Sequence, residues 1–247
     1  MIGIYDSGIG GLGIFNTIIQ VLPQESIFYF GDTKYFPFGD RSMEEIRKIT
    51  LAGLKKLEKK CSLLVIACNT ASVNDLAYYR ENIKIPIIAV VPVIKTAAHI
   101  SQTKKIALLA TTSTVSAKYI SELIGRFAGN CEIIKVSCSG LADAVEYGDD
   151  AKQDELLNKC TIDAKTADVL ILGCTHYTLI KGKLQNKFGP DVIILDSNEA
   201  VTRHVLRIMR KEKLEDPQTE PKYIFECSGD KKSFLREVEK HTHLPVA

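Results

Sequence analysis

Residues 62–72 read SLLVIACNTAS and residues 167–178 read ADVLILGCTHYT. Each holds a short apolar run with no polar alternation, ending at a cysteine, Cys68 or Cys174, followed at once by Asn-Thr or Thr-His. An unbroken apolar run of this length, bounded by turn residues, is the pattern of a strand in a parallel sheet buried on both faces. Open parallel sheets bind ligands at the carboxyl ends of their strands. Two thiols at the mouths of two matching strands therefore suggest a sulfur on either side of one site, an arrangement suited to moving a proton from one face of a carbon to the other.

Working outward, runs rich in Ile, Val, Leu and Phe predict strands at Ile2–Tyr5, Ser26–Phe30, Leu63–Ala67, Pro86–Val90, Lys105–Ala110, Glu132–Ser137, Val169–Gly173, Val192–Leu195 and Tyr223–Cys227. Amphipathic segments between them predict helices at Met43–Lys60, Thr114–Phe127, Asp154–Lys165 and Asn198–Lys211, the first opened by a Ser42/Glu45 capping box. The order of features repeats. Asp6-Ser7-Gly8 and then Cys68-Asn69-Thr70 follow strands of the first half; Thr111-Thr112-Ser113-Thr114 and then Cys174-Thr175-His176 follow strands of the second. The expected fold is α/β, with two similar lobes, each a mostly parallel sheet flanked by helices, and the active site in the cleft between them. The first lobe is expected over residues 1–94 and the second over 95–210. Residues 211–247 would form a polar linker and a strand and helix that return to the first lobe.

A chain of 247 residues, 45% of them hydrophobic, can bury the cores this scheme needs. A formal charge of only +2, with no basic stripe, argues against nucleic acid as a partner. No apolar run is long enough for a signal peptide or a membrane span, so the expectation is a soluble cytoplasmic protein away from membranes. Seven cysteines, an odd number without C-x-x-C spacing, argue against a disulfide framework and a structural zinc site, and predict reduced thiols. On this reading Cys61, Cys131, Cys138, Cys160 and Cys227 are structural. His241 and His243 form an H-x-H without a third ligand, and no metal site is expected.

The glycine run has two readings. Gly8-Ile9-Gly10-Gly11-Leu12-Gly13 after a strand, with Asp32 at the end of the next, satisfies a dinucleotide fingerprint and would make the chain a nicotinamide-dependent oxidoreductase. Asp6 in the same turn would repel a pyrophosphate, and the loop's N–H groups suit a carboxylate equally well. A lone strand-end cysteine is usually a small core residue. Two of them, each followed by polar residues that packing does not require and each placed to meet the N-terminus of the next helix, favour reactive thiols. His176 and Asp6 are the natural proton partners of Cys174 and Cys68. Asn69, Thr70, Thr111, Thr114 and Thr175 suit helix capping as well as ligand contact.

The segments IYDSGIGGLGIF, YFGDTKYFPFGDRS, LLVIACNTAS, LATTSTVSAKYI, AVEYG and LILGCTHYTLI together resemble the cofactor-independent glutamate racemases of the aspartate/glutamate racemase superfamily, along nearly the whole chain. The resemblance implies interconversion of L- and D-glutamate with no cofactor, supply of D-glutamate for peptidoglycan, and a homodimer. It implies Cys68 and Cys174 as catalytic cysteines, the first taking the proton from the D-enantiomer and the second from the L-enantiomer, with Asp6, His176 and Glu146 assisting. It places Ser7, Pro37, Phe38, Gly39, Asn69, Thr70, Thr111, Thr114 and Thr175 around the substrate. The chain departs from that pattern twice. Phe38 stands where the family has Tyr, and Ala89-Val90-Val91-Pro92 lacks the glutamate usual before the proline, with Lys95 close by. Aspartate or another acidic amino acid remains an alternative substrate, and a racemase-like fold that binds an amino acid without turning it over is an alternative of another class.

Overall fold

A computed structural model describes residues 1–242 and 244, and His243 lies outside that range. The chain divides into two compact units, residues 1–90 with 198 onward, and residues 91–197. In the first unit, strands β1 (Ile2–Asp6), β2 (Ile27–Gly31), β3 (Leu63–Ile66), β4 (Ile87–Ala89) and β9 (Tyr223–Cys227) form one sheet in the order β4-β3-β1-β2-β9. In the second, β5 (Lys105–Ala110), β6 (Glu132–Ser137), β7 (Val169–Leu172) and β8 (Ile193–Leu195) run in the order β6-β5-β7-β8. Every pairing is parallel. All nine strands start and end within one residue of the sequence expectation.

Unbroken apolar runs make the central strands because both sheet faces are covered: every residue of β1, β2, β3 and β7 is buried, whereas the edge strand β6 is largely exposed. On one face of the first sheet, Tyr5, Phe28, Phe30, Leu64 and Ile66 pack with Ile46, Leu54 and Leu57 of the helix Met43–Glu58. The approach is close enough that a Cβ on Gly53 would overlap the Tyr5 ring. On the other face, Phe15 meets Phe225 edge-on at 5.1 Å. The Ser42/Glu45 capping box opens the helix Met43–Glu58 as expected.

Counted in chain order within each unit, both sheets run second, first, third, fourth, and β9 adds a strand at the outer side of β2. The duplication seen in the sequence is thus a duplication of topology, and its register can be fixed by hydrogen bonds. Ala67 N donates to Tyr5 O at 2.7 Å, and Gly173 N donates to Leu109 O at 2.8 Å. Cys68 and Cys174 therefore occupy equivalent positions, one residue beyond these bonds, after the third strand of each sheet. By the same register Ser7 matches Thr111, Asp6 matches Ala110 and Thr70 matches His176. In each sheet the first and third strands flank the point where strand order reverses, the ligand crevice of open α/β folds.

Four expectations need correction. The helix Asn198–Glu212, assigned by sequence to the second lobe, packs on the helix Leu12–Val21 and on β4 of the first unit, so the chain returns at Asn198 rather than after residue 210. The segment Thr114–Phe127 is two helices, Thr112–Ser116 and Lys118–Phe127, broken at the extended residue Ala117. The helix expected at Asp154–Lys165 runs Asp150–Cys160, because Asp149 accepts from Lys152 N and caps it earlier. Cys138 and Cys160, expected to be reduced, form a disulfide with Cα atoms 5.5 Å apart: one follows β6 directly and the other ends the helix Asp150–Cys160 that folds back beside it. The remaining five cysteines are not in disulfides.

Candidate active site

The expected site residues fall into two sets, one in each unit. In the first, Cys68 stands at the N-terminus of the short helix Asn69–Asn74, with Asn69 and Thr70 as its first two residues, all three buried. Asp6 ends β1 beside it, fully buried. The Ser7 hydroxyl lies 3.5 Å from Cys68 Sγ and 3.4 Å from Asp6 Oδ1, so it can donate to the thiol sulfur or to the carboxylate. Gly8 N donates to the same Asp6 oxygen at 2.9 Å, which fixes the carboxylate in the turn. Pro37 precedes the single helical turn Phe38–Asp40, which packs on the helix Asn69–Asn74. Gly39 lies within that turn, and the Phe38 ring is buried in the same core cluster as Cys68.

Within the glycine run, Gly11 serves close packing. A Cβ on Gly11 would come within 2.8 Å of Ala67 Cβ and 3.0 Å of the Tyr29 hydroxyl. Asp32, the acid a dinucleotide would need, accepts from the buried Tyr5 hydroxyl at 2.9 Å and is itself buried, which raises its pKa. It is engaged within the fold rather than offered to a ribose.

In the second unit, Cys174 stands at the N-terminus of the helix Thr175–Leu179, with Thr175 and His176 as its first two residues. His176 Nδ1 lies 4.0 Å from Cys174 Sγ, and its Nε2 is 2.7 Å from Glu146 Oε2. All three side chains are buried. Burial alone would lower the pKa of His176. Its contacts with Cys174 and with the Glu146 carboxylate outweigh that and hold it well above the usual value. Thr111 caps the helix Thr112–Ser116, accepting from Thr114 N at 3.3 Å and donating to the Thr114 hydroxyl at 3.0 Å. Lys95 lies over the Phe127 ring at 5.6 Å.

Each thiol thus has a titratable neighbour, but the two neighbours come from non-equivalent places. Cys68 has Asp6, whose counterpart is Ala110; Cys174 has His176, whose counterpart is Thr70. The duplicated fold supplies two thiols of one kind, and the chain dresses them differently. Sequence reasoning did not single out Tyr177, whose hydroxyl donates to Cys138 O at 3.2 Å, although it lies in the motif around Cys174. Asn69 was named from the sequence, but not that its buried Oδ1 has no hydrogen-bond partner. Among the described residues no three His, Cys, Asp or Glu side chains are grouped to hold a metal, and no helix is long and apolar enough to cross a membrane.

The chain is similar to known proteins in sequence and fold. A glutamate racemase of Herpetosiphon aurantiacus is 35% identical over 95% of both chains. The Escherichia coli glutamate racemase crystallised with L-glutamate and the activator UDP-MurNAc-Ala superposes with a TM-score of 0.87 at 29% identity, over 97% of this chain and 94% of that one. The Francisella tularensis glutamate racemase crystallised with D-glutamate superposes with a TM-score of 0.86 at 27% identity, over 100% and 94%. A family model described as Asp/Glu/Hydantoin racemase matches residues 14–205, most of the chain and both cysteine motifs, and the chain belongs to that family.

Proposed function

We propose that this chain interconverts L- and D-glutamate through Cys68 and Cys174, one thiol from each unit, and that it supplies D-glutamate for peptidoglycan. The observation that carries the reading is the equivalence of the two cysteines: each is buried after the third strand of its sheet, in the same register, with Asp6 near one and His176 near the other. Relatives crystallised with L-glutamate and with D-glutamate support the choice of substrate.

The chemistry follows from the weakness of the α-hydrogen as an acid. Removing it leaves carbanion-like charge on the carbon and the adjacent carboxylate, so donors must meet that charge in a site closed to water. N–H groups at the strand ends and the glycine turn are suited to this. One base cannot serve both faces, so a thiolate and a thiol must flank the carbon. In the L-to-D direction the Cys174 thiolate takes the α-proton and the Cys68 thiol delivers its own to the opposite face. The thiols finish with exchanged protonation states, and the reverse direction runs the steps backward. A protonated His176 favours the Cys174 thiolate by its charge. Asp6, through or beside Ser7, can relay the proton that Cys68 gains or gives. Asn69 Oδ1, a buried acceptor lacking a donor, suits the substrate ammonium.

The test is incubation with L-glutamate, and separately L-aspartate, in heavy water. Loss of optical rotation with deuterium at the α-carbon, for glutamate in preference to aspartate, supports the reading. Binding of glutamate without exchange would leave an amino-acid-binding protein instead.

A further inference from the structure

The Glu146–His176 contact joins two separate segments, and something must hold them in register. Glu146 ends the helix Leu141–Glu146, which is bracketed by Gly140 at φ +79° and Gly148 at φ +68°. Both glycines take left-handed conformations that side-chain-bearing residues rarely adopt, so the helix ends are fixed in sequence. Their turns are also natural pivots. The far end of this segment, Cys138, is held from three directions. Its carbonyl accepts from Leu141 N at 3.2 Å, which closes the local turn, and from the Tyr177 hydroxyl at 3.2 Å. Its sulfur is bonded to Cys160 of the helix Asp150–Cys160, which also reaches the segment through Gln153 Nε2 donating to Ala144 O at 3.0 Å.

Tyr177 is fully buried and next in sequence to His176. Two neighbouring residues of one short helix thus grip the Glu146 segment at its two ends, His176 at the carboxylate and Tyr177 at the Cys138 carbonyl. From this we infer that Tyr177 is a positioning residue: its hydroxyl, acting through the Cys138 carbonyl, sets Glu146 against His176 and so tunes proton transfer by Cys174. The Cys138–Cys160 bond holds the same anchor from the other side. The kinetic part of the inference rests on the racemase reading; the structural part does not.

The test is Tyr177→Phe, which keeps the ring and removes only the hydroxyl, with Cys160→Ser and the double variant beside it. The first readout is independent of turnover. The His176 ring N–H facing Glu146 should give a downfield proton resonance in the unsubstituted protein that weakens or moves in Tyr177→Phe. The second is kinetic. Loss of one buried neutral hydrogen bond predicts a kcat about three- to tenfold lower with KM changed less than about twofold, and a larger primary isotope effect with α-deuterated L-glutamate. Because both bonds hold Cys138, the double variant should lose more than the product of the single losses. An unchanged His176 resonance in Tyr177→Phe overturns the inference whether or not the protein turns over. So does unchanged kcat and isotope effect in an active enzyme, even if thermal stability falls. Absence of α-proton exchange in the unsubstituted protein would sink the racemase reading alone, and the resonance would still decide the positioning role.

Discussion

Replacing Glu146 with Gln isolates the charge on His176 with little change of shape, because the amide oxygen can still accept from Nε2. The carboxylate helps hold the pKa of His176 up, and a hydrogen bond to a charged group is worth about 1.5–3 kcal/mol against about 0.5–1.5 kcal/mol between neutral groups. Glu146→Gln should therefore remove about 1–2 kcal/mol of stability, but only where the imidazolium exists. The folded-state pKa of His176 is raised, so its contribution is fully present below about pH 6.5 and is lost as pH rises through the raised value. The variant should be destabilised most at pH 6, and the gap should close on the way to pH 10. Thermal melts across that range would show it, since each kcal/mol shifts Tm by about 2–4 °C in a chain of this size. An NMR titration of the His176 ring should place its pKa lower in the variant. Equal destabilisation at pH 6 and pH 10, or an unchanged His176 titration, would refute the reasoning.

Other expectations reach beyond that contact. Asp6→Asn and His176→Asn should change kcat unequally in the two directions. Glutamate enantiomers have equal free energy, so kcat/KM must fall equally both ways; equal effects on the two kcat values as well would remove the assigned roles. Gly53→Ala should destabilise the first unit by about 1–3 kcal/mol through overlap with Tyr5, and a melting temperature within a degree of the unsubstituted protein would contradict the packing. Asp168 is pushed up by burial, but the Ser101 hydroxyl and the Thr103 and Gln102 amides outweigh this and draw it down to about 2. Its stabilisation is thus present above about pH 4 and lost as pH falls toward 2. Asp168→Asn should be less stable than the parent at pH 7 and equal to it near pH 2, as acid titrations followed by circular dichroism would show.

The strands were legible because burial on both faces writes itself into sequence as unbroken apolar runs, and Ser42 with Glu45 announced a helix start by hydrogen bonding that is local. Other features depend on what lies across space. The amphipathic face of Asn198–Glu212 shows that it packs, not that it packs on β4 and the helix Leu12–Val21. Ala117 breaks a helix whose periodicity runs on through it. Cys138 and Cys160 are 22 residues apart in sequence and meet only because the helix Asp150–Cys160 turns back toward β6. At the site, the motifs marked Cys68, Cys174, Asp6 and His176. The register that makes the thiols equivalent and their partners inequivalent emerged only from the sheet hydrogen bonds. Glu146 was carried over by resemblance, and the fold brings it to 2.7 Å from His176 Nε2.

The most direct test replaces each thiol in turn. Cys68→Ala and Cys174→Ala, folded as judged by circular dichroism and thermal melting, should each lose glutamate racemisation while the unsubstituted protein retains it in the same polarimeter. Near-parental racemisation by either variant would contradict a mechanism in which two sulfurs share one carbon.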